Sequence, residues 1–125
     1  GSVWEAIMFA GHHELGKLIA IVDRNKFGAT DATENTVRLD PLDDKFKAFG
    51  WDVEEVDGHN FDSLTSVLSK TKTRTHKNKP LCIIANTTKG KGIDFMENSQ
   101  YWHHQIPKGE QIDIAWEQLG GKWID

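Results

Sequence analysis

Three short strand-like segments, at 18–22, 51–56 and 80–86, alternate with segments of helical hydrophobic spacing and recur at roughly 30-residue intervals, as βαβ units do. Few folds accept that order. Strands joined through helices form a parallel sheet by right-handed crossovers, with helices on both faces. Leu18-Ile19-Ala20-Ile21-Val22 and Pro80–Asn86 are the runs expected of strands buried on both faces, whereas Trp51–Val56 alternates. The spacing predicts helices over 2–15, 41–49, from Phe61 toward the Lys/Thr-rich stretch 70–79, and over 113–119. Ser2 and Glu5 match a capping box. Trp4, Ile7, Met8, Gly11 and Leu15 form the expected buried stripe, and Gly16 follows as a C′ residue. Asp40-Pro41 reads as N-cap and N1, and Asn60 as the cap of the next helix. Residues 23–39 and 87–111 read as loops. The expected architecture is α/β, a three-layer parallel sheet with helices on both faces. Three strands make a thin sheet, and the first helix has no strand feeding it. The expectation is therefore one partial domain over 1–125, the later portion of a larger one.

Composition narrows the function classes. With 15 Lys+Arg against 19 Asp+Glu, the chain lacks the broad basic surface of a nucleic-acid binder. No apolar run approaches the ~20 residues of a membrane helix, and the N-terminus shows no secretory pattern. A single cysteine, Cys82, excludes an internal disulfide and suits a reducing compartment. The expectation is a cytoplasmic protein with neither nucleic-acid nor membrane partners.

In an open parallel sheet, ligands bind beyond the carboxyl ends of the strands. Three polar segments fall there: Asp23-Arg24-Asn25-Lys26-Phe27-Gly28, Asp57-Gly58-His59-Asn60 and Thr87-Thr88-Lys89-Gly90-Lys91-Gly92. Asp23, Asn25 and the carbonyls after them offer hard oxygen ligands of the kind Mg²⁺ takes while sharing a phosphate. The same residues also suit an ordinary Asx turn after a strand.

Taken in order, these segments resemble the thiamine-diphosphate-binding domain of transketolases. The resemblance is carried by Gly1-Ser2-Val3-Trp4-Glu5-Ala6, by Leu18–Lys26, by Phe49-Gly50-Trp51 with Val56-Asp57-Gly58-His59, and by Thr88-Lys89-Gly90-Lys91-Gly92. The run Phe95-Met96-Glu97-Asn98 leading to Trp102-His103 is the most particular match. It covers nearly all of 1–119 and is closest to the separately encoded N-terminal half of bacterial transketolases. It implies transfer of a two-carbon ketol unit from a ketose phosphate to an aldose phosphate, with thiamine diphosphate and Mg²⁺ as cofactors. In that family a Gly-Asp-Gly motif and a later Asn hold the metal. By this match Asn25 is the side-chain ligand and Phe27 supplies a backbone carbonyl. The resemblance further implies that Asp23, Asn25, Phe27, Lys89 and His103 bind cofactor, with His103 the catalytic group beside the diphosphate and the donor sugar. The chain opens just after the place of the Gly-Asp-Gly, so the expectation is a portion that does not complete the metal site alone. Where the family has His-Gly, this chain has His103-His104, and glycine tolerates backbone that histidine does not. The partner implied is a second copy, or the C-terminal transketolase half.

Two other functions share these features. One is a different thiamine enzyme, a 1-deoxyxylulose-5-phosphate synthase or a 2-oxo acid dehydrogenase component. The other is a non-catalytic interaction module that kept the fold. Several residues have plainer readings. His12-His13 suits a helix C-terminus. Adjacent His pairs and a cysteine inside an apolar strand lack zinc-ligand spacing. His59 is a turn residue or a site-edge contact, and Lys89 with Lys91 does not make a Walker loop. Tyr101 and Trp102 cover either the site or an interface. Trp4, Trp51 and Trp116 read as packing residues, and Asn86-Thr87-Thr88 as a chance glycosylation pattern.

Overall fold

The computed structural model describes residues 1–71 and 78–121. Part of the stretch 70–79 therefore lies outside the described residues. The elements run α1 (Ser2–His12), β1 (Ile19–Arg24), α2 (Thr33–Thr36), α3 (Leu42–Ala48), β2 (Asp52–Asp57), α4 (Phe61–Lys70), β3 (Leu81–Asn86), a 3-10 turn (Gln100–His103) and α5 (Glu110–Gln118). They fall into two compact units, Gly1–Arg24 with the described part of 39–87, and Asn25–Arg38 with the described residues from Thr88 on.

The first unit is the parallel sheet, in the order β1-β3-β2. Ile19 pairs with Leu81 and Arg24 with Asn86 on one side of β3, while Asp52 pairs with Leu81 and Asp57 with Asn86 on the other. The central strand is the apolar run Leu81–Ala85, buried throughout. Its alternate residues feed two cores. Cys82 and Ile84 pack with Ile7, Ala10, Leu42, Phe46 and Trp51 under α1 and α3, and Leu81 and Ile83 pack with Val67 of α4. Each fully buried aliphatic or aromatic side chain here contributes about 1.5–3 kcal/mol. Trp51 adds direction. Its indole N–H donates to the Ile7 carbonyl at 2.8 Å, and its ring meets Phe46 edge-on at 5.4 Å.

Local expectations fail where tertiary packing takes over. Ser2 is the first helical residue rather than the cap, and Gly1 holds the cap position without a side-chain bond, so no capping box forms. α1 stops before Gly16. Leu15 N–H reaches the Ala10 carbonyl and Glu14 N–H the Gly11 carbonyl, with Glu14 itself at φ +51°. This is the Schellman arrangement, with a glutamate where glycine is usual. The buried face of α1 is Ile7 and Ala10, while Met8 and Leu15 are exposed. β1 is not buried on both faces, since Ile21 is 61% exposed. Pro41, not Asp40, precedes α3 as its cap, after a cis Asp40–Pro41 bond. The Asp40 carboxylate instead pairs with the buried Arg24 guanidinium at 3.0 Å. The Asn60 cap forms as expected, accepting from Ser63 N–H at 3.0 Å. Phe61, however, is exposed, leaving Val67 as the buried residue of α4.

Cys82 lies in the middle of β3, and burial pushes its thiol from an ordinary 9.0 up to about 12. The folded state thus holds this proton more tightly than the unfolded chain. The stability that difference contributes is intact below pH 9 and is lost as the pH rises from about 9 toward about 12. Native protein at pH 8 is expected to resist a thiol-reactive aromatic disulfide, and urea-unfolded protein to react at once. A fast native reaction would contradict the burial.

The second unit is built from two stretches. In the first, Phe27 bridges Ala32 in antiparallel fashion, with Gly28 N–H on the Asp31 carbonyl and Thr33 N–H on the Lys26 carbonyl, leading into α2. The second is the loop after Thr88, the 3-10 turn and α5, whose buried residue is Ala115. Gln118 holds Asp94 through two bonds, accepting from its N–H at 2.9 Å and donating to its carboxylate at 3.0 Å. No helix among the described residues is long and apolar enough to cross a membrane.

Candidate functional site

The carboxyl edge of the sheet is tied together by short polar contacts. Gly58 N–H donates to the Asn86 carbonyl at 2.8 Å, and the Thr87 hydroxyl donates to the Asp23 carboxylate. The Thr87 methyl presses on the space a Cβ at Gly58 would need, so glycine is required there for close approach of β2 to β3. Asp23 is exposed and belongs to the sheet unit. Its carboxylate is held by Thr87, which the sequence places in the third polar segment without assigning it a role of its own. The signal available for it is its place one step beyond the last strand residue, on the edge where ligands bind.

Asn25, Phe27, Lys89 and His103 all belong to the second unit. Asn25 Oδ1 accepts from Phe27 N–H at 2.9 Å, so the Asx turn that the sequence left open is present. Lys26 between them sits at φ +67°. Such a turn uses one lone pair of the amide oxygen and leaves the other unused by the turn. The Phe27 carbonyl takes no part in the two bonds of the Phe27–Ala32 bridge. The turn therefore offers two neutral hard oxygens, a fit to part of a Mg²⁺ shell that shares its charge with a diphosphate. Among the described residues, no group of three or more His, Cys, Asp or Glu could hold a metal, and no buried side-chain nitrogen or oxygen lacks a partner.

Lys89 and His103 lie on one loop. Asn98 N–H closes it on the Lys89 carbonyl at 2.9 Å. Glu97 Oε1 accepts from Gly92 N–H at 3.1 Å and pairs with the Lys91 ammonium at 3.4 Å. Lys91 thus braces the loop, and so does Glu97, a role that the sequence pattern does not reveal. Gly90, at φ +75°, has no room for a Cβ against Met96. His103 is exposed at the end of the 3-10 turn, with its ring edge-on to His104 at 4.5 Å. His104 adopts φ −119°, a conformation open to any residue. Histidine in place of the glycine thus imposes no positive-φ strain. Lys89 and His103 are brought into one braced loop, and Asn25 and Phe27 into one turn.

Comparison with known proteins identifies the family. Residues 1–123 match the family described as the thiamine diphosphate binding domain of transketolase. An apulose-4-phosphate transketolase subunit from Actinobacillus succinogenes is 41% identical over 119 residues, covering 95% of this chain and 42% of that protein. A 6-deoxy-6-sulfo-D-fructose transketolase subunit from a Clostridium species is 43% identical over 119 residues, again 95% of this chain and 42% of that one. The chain therefore spans less than half the length of these relatives. A crystal structure of transketolase from Campylobacter jejuni superposes with TM-score 0.80 at 32% identity, covering 94% of this chain and 18% of that one. A family match over residues 1–123, together with a TM-score of 0.80 to a transketolase crystal structure, leaves one assignment: the chain belongs to the thiamine-diphosphate-binding domain family of transketolases.

Proposed function

We propose that the chain is part of a thiamine-diphosphate-binding domain in an enzyme that moves a two-carbon ketol unit from a ketose phosphate to an aldose phosphate. The observation that carries this reading is the Asn25–Phe27 turn at the end of β1, in a chain of this family. Asn25 Oδ1 and the Phe27 carbonyl hold Mg²⁺ in this reading, and further ligands come from outside the described residues. Thiamine diphosphate, when bound, supplies the carbanion chemistry that opens the bond beside the ketose carbonyl. Lys89 places a cation toward the diphosphate. His103 offers a ring nitrogen that accepts a hydrogen bond or a proton from a donor hydroxyl. Asp23, whose carboxylate accepts from the Thr87 hydroxyl, stands at the end of β1 as a further cofactor-binding group in this reading.

The relatives from Actinobacillus and Clostridium are each named as one subunit of a transketolase, which points to the kind of partner. We infer that the working enzyme pairs this half with a separately encoded C-terminal half, itself dimerised, in the cytoplasm. The test is Mg²⁺-dependent binding of thiamine diphosphate by the full-length, partnered protein, followed by assay of ketose phosphate against pyruvate as donor. Ketol transfer from the sugar alone is the expected result. Decarboxylation or condensation of pyruvate would favour a different thiamine enzyme, and binding without turnover of either donor a non-catalytic module.

A further inference from the structure

The 3-10 turn that presents His103 has no side-chain cap at its start. A different side chain ties it down. The Trp102 indole N–H donates to the Phe95 carbonyl at 2.7 Å. Its half-buried ring lies against the Phe95 ring at 5.1 Å, and Tyr101 meets it edge-on at 5.1 Å. Phe95 belongs to the stretch already closed between Lys89 and Asn98. The indole bond therefore joins the His103 turn to the Lys89 loop, one residue before His103 itself.

We propose that Trp102 is a positioning residue for His103, fixing the imidazole in one place relative to Lys89 so that both can meet one bound molecule. This rests on the reading of His103 as the substrate-side group. The bond adds a role to the two the sequence left for Trp102: the indole braces the loop from within. Removing the N–H while keeping a ring leaves the Phe95 carbonyl to water and frees the turn to shift. Misplacement of a reacting group by about 1 Å costs on the order of 100-fold in rate, so a partial shift is expected to cost about 10-fold.

The experiment compares Trp102→Phe, Phe95→Leu and His103→Gln in the full-length, partnered protein. Trp102→Phe should lower kcat about 10-fold, with little change in the donor KM or the thermal midpoint. Phe95→Leu keeps the carbonyl and should cost less. A second readout needs neither cofactor nor turnover: the ring resonances of His103 in the NMR spectrum should shift or broaden in Trp102→Phe and stay put in Phe95→Leu. If His103→Gln is impaired while Trp102→Phe keeps both wild-type kcat and unaltered His103 resonances, the positioning role is overturned and the reading of His103 stands. If His103→Gln is fully active, that reading fails and the role proposed for Trp102 falls with it.

Discussion

Gly11→Ala is expected to destabilise the protein by about 3 kcal/mol, near the upper end for overpacked interiors. Helix propensity argues the other way, since alanine inside a helix is favoured over glycine by about 1 kcal/mol. Packing decides the sign. A Cβ on Gly11 would overlap the Phe49 carbonyl oxygen, with the carbonyl carbon 3.0 Å away. The obstacle is backbone just past the end of α3, so no side-chain rotation relieves it. α1 would have to lift, and the 2.8 Å bond from the Trp51 indole to the Ile7 carbonyl would lengthen or break. Urea unfolding followed by Trp fluorescence should show a midpoint lowered by about 1–3 M, for a slope typical of small proteins. An unchanged or raised midpoint would mean that α1 does not sit on α3 as described.

Asn25→Ala should weaken Mg²⁺-dependent binding of thiamine diphosphate in the full-length, partnered protein by about 100-fold, the upper range for losing a group that supports a metal. The substitution removes two things at once: the proposed ligand oxygen, and the acceptor that holds Phe27 N–H at 2.9 Å. Without that bond Lys26 has less reason to keep φ +67°, and the Phe27 carbonyl loses its fixed direction. The local bond itself contributes only about 1 kcal/mol to folding, so a small drop in stability should accompany the large drop in affinity. Asn25→Asp separates the roles. It keeps the turn acceptor but adds a negative charge beside a diphosphate, and should fall between wild type and alanine. Calorimetric titration with cofactor at fixed Mg²⁺ reads all three. Undiminished affinity in Asn25→Ala would remove Asn25 from the metal shell.

The parallel sheet is legible in the sequence because its signals are regional. An apolar run such as Leu81–Ala85 can be satisfied only by neighbours on both sides, and β3 is the central strand. The run at 18–22 carries the same signal yet misleads at Ile21, because periodicity does not reveal which strand stands at an edge. Helix ends are the weak point. Ser2 and Glu5 have the right spacing for a cap, but the helix begins one residue too early for them to serve. Gly16 is the better left-handed residue by intrinsic preference, yet Glu14 takes that conformation, because the helix ends at His12, before it reaches the glycine. At the site, the Asx turn at Asn25 and the cap at Asn60 follow from residues two or three apart and are readable. Thr87 on Asp23 and Trp102 on Phe95 depend on how loops close, and one-dimensional pattern holds little of that.

The chain leaves the sheet unit after Arg24, re-enters it at Leu39 and leaves again after Thr87. The second unit is therefore encoded in two pieces, separated by the whole of α3, β2, α4 and β3. Exchange of sequence between relatives by a single crossover near 87/88 would join a 25–38 segment from one parent to an 88–121 segment from the other. Moving the second unit alone, with both of its pieces from one parent, takes three breakpoints, near 24/25, 38/39 and 87/88.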